Sequence, residues 1–107
     1  MIMPIRHIVL CKFRPEVSES AQREIVEKVE ALGALEGIRF SHFSSGPNVS
    51  PENLSYGLEL GFSMDFANAA DRDAYLEHPE HRKVGAEIVA LLESGTDSIC
   101  VFDMALG

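Results

Sequence analysis

Leu58-Glu59-Leu60-Gly61-Phe62-Ser63-Met64-Asp65-Phe66 alternates without a break. Leu58, Leu60, Phe62, Met64 and Phe66 fall on one side of an extended chain; Glu59, Gly61, Ser63 and Asp65, with Gly57 ahead of them, fall on the other. Successive side chains of a strand point to opposite faces, so this stretch reads as a β-strand with one core face. Its second face is small and polar, which suits water or a cavity better than packed side chains.

The strand takes its place from what surrounds it. Upstream, residues 46–53 (Gly-Pro-Asn-Val-Ser-Pro-Glu-Asn) are turn residues at most positions, and residues 38–45 (Ile-Arg-Phe-Ser-His-Phe-Ser-Ser) read as a strand before that loop. Over residues 18–34, Ala21, Ile25, Val29 and Leu32 recur at helical steps. Ser18 or Ser20 can cap this helix, Glu19–Arg23 and Glu24–Lys28 are placed as pairs along it, and Gly33 and Gly37 mark its exit. Residues 5–13 (Ile-Arg-His-Ile-Val-Leu-Cys-Lys-Phe) are rich in strand formers, with apolar groups on both faces, so both faces are expected to be covered.

Downstream, Asn68 and Asp71 give an N-cap signal for a short helix through about Leu76. Pro79 then suits the first turn of a further helix, with Val84, Ile88, Leu91 and Leu92 as its stripe and Gly95 to end it. Residues 98–104 (Ser-Ile-Cys-Val-Phe-Asp-Met) read as the last strand. The order is β-α-β-β-α-β, with the second helical region broken in two. The expected fold class is α+β, a ferredoxin-like split βαβ with a four-stranded antiparallel sheet. Right-handed crossovers put the helices on one face. The other face still carries apolar groups from strand one or strand four, so two copies are expected to pair through their sheets about a two-fold axis.

Composition narrows the function classes. The chain has 107 residues, one domain's worth, with 46% hydrophobic and 24% charged residues. Asp plus Glu is 17 and Lys plus Arg is 9, a net charge of −8, which repels nucleic acid. The longest apolar runs are too short to span a bilayer. The start, Met1-Ile2-Met3-Pro4-Ile5-Arg6, lacks the order of a signal peptide, so a cytoplasmic location is expected. Cys11 and Cys100 are too few for a disulfide framework and are expected to be two buried, unpaired thiols on neighbouring strands.

No glycine-rich phosphate loop, Cys-x-x-Cys or His-Glu-x-x-His motif occurs. The informative stretch is Tyr75-Leu76-Glu77-His78-Pro79-Glu80-His81, together with His7 in the first strand. His78 and His81 are three apart, but a metal site wants a third ligand and none is evident, so no metal and no cofactor are expected. Tyr75 and His81 are the better pair. A histidine titrates near neutral pH and can take a proton from a weak carbon acid, while a phenol can hydrogen-bond a developing enolate oxygen. Against that, Tyr75 can simply close the core and His81 bond a backbone carbonyl. His7 is a core histidine or a third polar group of a cavity, depending on its face. His42 has no assignable face, and Glu59 and Asp65 read as solvated carboxylates.

These residues also resemble the stress-responsive dimeric α/β-barrel (Dabb) family. The resemblance lies in Ile5–Phe13 as first strand, Gly46-Pro47-Asn48-Val49-Ser50 after the second, Phe66 followed by Tyr75–His81, and Val101-Phe102-Asp103 in the last strand. It implies a ferredoxin-like protomer, a homodimer whose sheets form a barrel, and a largely apolar cavity between sheet and helices. Plant polyketide cyclases of that family perform a cofactor-free aldol closure. Their tyrosine and histidine match Tyr75 and His81, and their first-strand histidine matches His7. They carry a further histidine in the third strand, whereas residues 56–66 here hold none and Leu60 lies near the equivalent place. The expected function is binding of a small, largely apolar keto or enol molecule, with Tyr75, His81 and His7 as polar contacts. The alternatives are a cofactor-independent acid–base enzyme, polyketide-cyclase-like or monooxygenase-like, and an interaction module without a ligand.

Overall fold

The computed structural model describes residues 2–107; Met1 lies outside them. The elements are β1 (Ile5–Cys11), α1 (Glu19–Ala31), β2 (Ser41–Pro47), β3 (Leu60–Phe66), α2 (Ala69–Glu77), α3 (Pro79–Leu91) and β4 (Ile99–Ala105), with short 3-10 turns at Leu32–Ala34 and Gly95–Ser98. The sheet order is β2-β3-β1-β4 and every pairing is antiparallel. This is the ferredoxin-like α+β arrangement expected from the element order.

The alternation of β3 holds from Leu60 onward. Phe62, Met64 and Phe66 are buried under the helices, while Gly61, Ser63 and Asp65 lie on the other side. Leu58 falls outside the strand because its N–H bonds back to Ser55 in a turn. Strand β2 starts later than the sequence implies. Ile38 and Phe40 pack into the core before the strand begins, and a register shift between Ser41 and Ser44 surrounds His42, whose φ is 55°. Such bulges kink a strand without leaving a hydropathy signal.

Helix α1 is capped by Ser18, whose Oγ accepts from the Ala21 N–H at 3.1 Å, and it buries Ile25, Val26 and Val29. Its Lys28 reaches Glu87 of α3 at 3.4 Å, so this lysine ties two helices together in place of the pairing with Glu24 expected along α1. Helix α2 is capped by Asn68, which accepts from the Asp71 N–H at 2.8 Å. The break between α2 and α3 follows from proline sterics. A residue preceding proline is pushed out of the helical region, and His78 sits at φ −63°, ψ 133°. Its Nδ1 accepts from the Glu80 N–H at 3.1 Å and caps α3, whose first residue is Pro79. Helix α3 ends at Leu91 with Leu92 as its C-cap, and Gly95 opens the following 3-10 turn rather than stopping the helix.

The helices cover one side only, as the crossovers imply. On the other side Leu10, Phe102 and Met104 stay exposed, Phe102 by 59%, and Ile8 is half-buried, which leaves within one copy the apolar face that a second sheet is expected to cover. The expectation of two buried thiols needs correction: Cys11 is buried, but Cys100 is exposed. Register explains this: Cys100 pairs with Leu10 and Cys11 with Ile99, so the two thiols point to opposite sides of the sheet. Burial pushes the Cys11 thiol up to about 11, which leaves it a protonated apolar group. Among the described residues, no helix is long and apolar enough to cross a membrane.

Candidate functional site

The helix-covered side of β1 carries His7, Val9 and Cys11. Antiparallel register places His7 opposite Met64 of β3 and Asp103 of β4. Directly opposed residues share a face, so His7 and Asp103 meet over the sheet. His7 Nδ1 lies 2.6 Å from Asp103 Oδ1, and Arg72 of α2 donates from Nη1 to Asp103 Oδ2 at 2.8 Å. Burial alone would raise the Asp103 carboxyl, but the bonds from His7 and Arg72 and their charges outweigh it and hold the group below the usual carboxylate range. An ionised Asp103 only accepts, so His7 donates from Nδ1, and in the neutral form of the ring Nε2 is the basic nitrogen.

The second histidine is fixed by the helix break. Because the chain turns at His78–Pro79, His81 on the first turn of α3 folds back over the end of α2. Its Nδ1 donates to the Leu76 carbonyl at 3.2 Å, so its Nε2 is also the basic nitrogen. Desolvation is the main reason the His81 pKa falls below 6.5; the Leu76 carbonyl opposes this, and the neighbouring charges of His7, Arg82 and His78 add to it. His81 is thus neutral at pH 7.

Tyr75 joins the two. Its ring centroid is 4.3 Å from that of His81 and 5.9 Å from that of His7, and it packs on Phe66 and Phe40. Burial raises the phenol well above its ordinary value, so it stays a proton donor. The residue is only 2% exposed. Among the described residues the hydroxyl finds no hydrogen-bond partner, and no fully buried side-chain N or O atom lacks one. The hydroxyl therefore keeps contact with open space.

That space is a cavity of about 350 Å³ between β1, β4 and the helices. His7, Tyr75 and His81 line it among apolar walls that include Val9, Val29, Phe62, Ile88 and Ile99. Exposed Leu76, Val89 and Val101 surround its mouth. Helix α3 shapes it by an omission. His81, Val84, Gly85 and Ile88 share a single stripe (81 with 84 and 85, 88 with 84 and 85, each three or four apart), where an amphipathic helix carries a side chain at every position. Gly85 has none, and a Cβ placed there meets nothing within 4 Å.

The structure brings together the three residues singled out in the sequence, Tyr75, His81 and His7. It leaves the others elsewhere. His78 is a helix cap. Glu59 is exposed. Asp65 lies on the open side of the sheet, where Arg6 binds it through two bonds of 2.8 and 3.0 Å and pulls its pKa down. His42 sits beside that pair, 3.5 Å from Asp65. Among the described residues, no group of three or more His, Cys, Asp or Glu is arranged to hold a metal. Sequence reasoning missed Asp103, Arg72 and Gly85. A carboxylate in an apolar terminal strand was the available signal for Asp103, but its partner depends on strand register.

The profile of the Stress responsive A/B Barrel Domain matches residues 5–106. A dimeric ferredoxin-like protein of unknown function from Jannaschia sp. CCS1 is 30% identical, with a TM-score of 0.84 over 96% of this chain and 99% of that one. A dabb family protein with a ferredoxin-like fold from Mesorhizobium loti is 28% identical, with a TM-score of 0.73 over 98% and 99% of the two chains. The hydroxynitrile lyase from Passiflora edulis superposes with a TM-score of 0.85 over 100% and 96%, but at 17% identity the likeness concerns the fold alone. No curated protein sequence matches.

Proposed function

The chain belongs to the stress responsive A/B barrel family, and on that premise we propose that it is a homodimer that binds a small, largely apolar keto or enol molecule between the sheet and the helices of each protomer. The observation that carries the reading is the 350 Å³ cavity with apolar walls and three convergent polar groups, His7, Tyr75 and His81. Affinity would come mainly from apolar contact, at roughly 25 cal/mol per Å² before ordering costs. Pairing of copies would use the open side of the sheet, where Ile8, Leu10, Phe102 and Met104 form an apolar strip. The solved relatives described as dimeric support this. We place the dimer in the cytoplasm on composition.

The test is a thermal-shift screen of small apolar ketones on the wild type and on Tyr75→Phe. Ketones that raise the midpoint of the wild type and lose that effect without the hydroxyl support the reading. A panel that shifts neither protein, or both equally, contradicts it.

A second reading, cofactor-independent enolisation, is favoured by one specific observation. Both histidines hold their protons on Nδ1 beside a tyrosine that stays protonated. His81 Nε2 would take a proton from the carbon next to a carbonyl, leaving an imidazolium and an enolate, and the Tyr75 hydroxyl would donate to the enolate oxygen. Exchange of those carbon-bound protons in heavy water, followed by NMR, should be catalysed by the wild type and fall at least about 10²-fold in His81→Ala if His81 is the base. Equal exchange by both proteins removes His81 from the chemistry.

A further inference from the structure

The cavity's walls are apolar, yet one permanently charged side chain lines it: Arg82, on α3 next to His81. Arg82 forms no ion pair among the described residues, whereas Arg6, Arg14 and Arg72 each hold a carboxylate. It is exposed, so its head meets solvent at the mouth while the tyrosine and His7 lie deep. Its charge also reaches His81, where it helps to disfavour the protonated ring. A guanidinium is never neutral at physiological pH and offers a planar fork that fits a carboxylate. On a chain of net charge −8, an unpaired cation at the opening of an apolar chamber is a local reversal of the prevailing field.

We propose that the ligand is an amphiphilic acid: an apolar body inside the cavity and a carboxylate or comparable oxyanion at the mouth, held by Arg82. The proposal rests on the cavity reading above and specifies the ligand class for it. Selectivity would work in both directions. Anionic ligands gain the guanidinium, and neutral ones of the same shape leave it solvated.

A matched pair of fluorescent probes tests this. Anilinonaphthalene sulfonate is an anion; phenylnaphthylamine has the same ring skeleton without the acid group. Both are titrated into the wild type, Arg82→Gln and Gly85→Leu at low and high salt. Gly85→Leu fills the cavity from a position where a side chain meets open space. The expected result has three parts. Wild type binds the anion about tenfold tighter than the neutral probe, as befits one charge-assisted contact in partial contact with water. Arg82→Gln and high salt erase that preference while leaving the neutral probe unchanged. Gly85→Leu weakens both probes.

Equal affinities in the wild type, or a preference that survives Arg82→Gln, would overturn the role of Arg82 while the cavity reading stands. Neutral binding that Gly85→Leu leaves untouched overturns the cavity reading, and the Arg82 role with it.

Discussion

The two faces of one sheet follow opposite designs. On the helix side, His7, Val9 and Cys11 of β1 alternate with Arg6, Ile8 and Leu10 on the open side, and β4 sorts Val101 and Asp103 from Phe102 and Met104 in the same way. The helix side combines an apolar floor with polar groups fixed by hydrogen bonds to Asp103, Arg72 and the Leu76 carbonyl. The open side is apolar along β1 and β4 and small or ion-paired along β2 and β3, where Ser44 meets Ser63 and Arg6 meets Asp65. A period of two thus lets neighbouring residues of one strand serve ligand and assembly separately. Changes on one face should leave the other face's property alone.

The largest effect is expected from Tyr75→Ala on the helix side. Removing a nearly fully buried aromatic should cost about 3–5 kcal/mol, read from chemical denaturation. Tyr75→Phe removes only the hydroxyl, which has no protein partner, and should cost less than about 1.5 kcal/mol while abolishing ketone-induced thermal shifts. Next comes Phe102→Asp on the open side. It should cost dimerisation about 1.5–3 kcal/mol per copy from lost apolar burial, and more from the buried charge. Sedimentation at micromolar concentration should report one copy where the wild type reports two, and the neutral probe should still enter the cavity.

Asp103→Ala leaves His7 Nδ1 and Arg72 without their shared acceptor. A loss of about 1–3 kcal/mol in stability is expected, together with weaker ketone binding. Arg72→Ala, which keeps the His7–Asp103 contact, should have the smaller effect on binding.

The smallest effect concerns acid. The folded pKa of His81 lies below its value of 6.5 in an open chain, so the unfolded state binds the proton first. The stability His81 contributes is complete above pH 6.5 and declines as pH falls from there through the folded value. Asp103 and Asp65 act lower down, since their depressed values withdraw stability only below 3.8. The difference in denaturation midpoint between the wild type and His81→Asn should therefore be constant above pH 6.5 and move against the wild type as pH falls below it, in milder acid than the carboxylates need. Parallel curves across that range would mean that His81 is not desolvated.

Much of this division was legible in the residues themselves. The alternation in β3 fixes its faces because every core-facing residue is large and apolar. The His78–Pro79 step announces the break that folds His81 over α2, since proline sterics act on a local dipeptide. Tyr75, His81 and His7 stood out as the titratable groups among apolar neighbours. Other features depended on partners distant in sequence. Asp103 acquires its meaning only from a register that sets it opposite His7, ninety-six residues away. The exposure of Cys100 depends on the same register. The bulge at His42 arises from backbone geometry that hydropathy does not encode. Gly85 reads as a mild defect in a helix until its missing side chain is seen to leave room for a ligand.

The most direct test of the whole account is an amide NMR titration of the wild type with benzylacetone, an apolar ketone small enough for the cavity. Saturable shifts are expected at His7, Tyr75, His81, Gly85 and Ile88, with Ile8, Leu10 and Phe102 unmoved. Shifts concentrated on Ile8, Leu10 and Phe102, or no saturable shift at any of these residues, would contradict it.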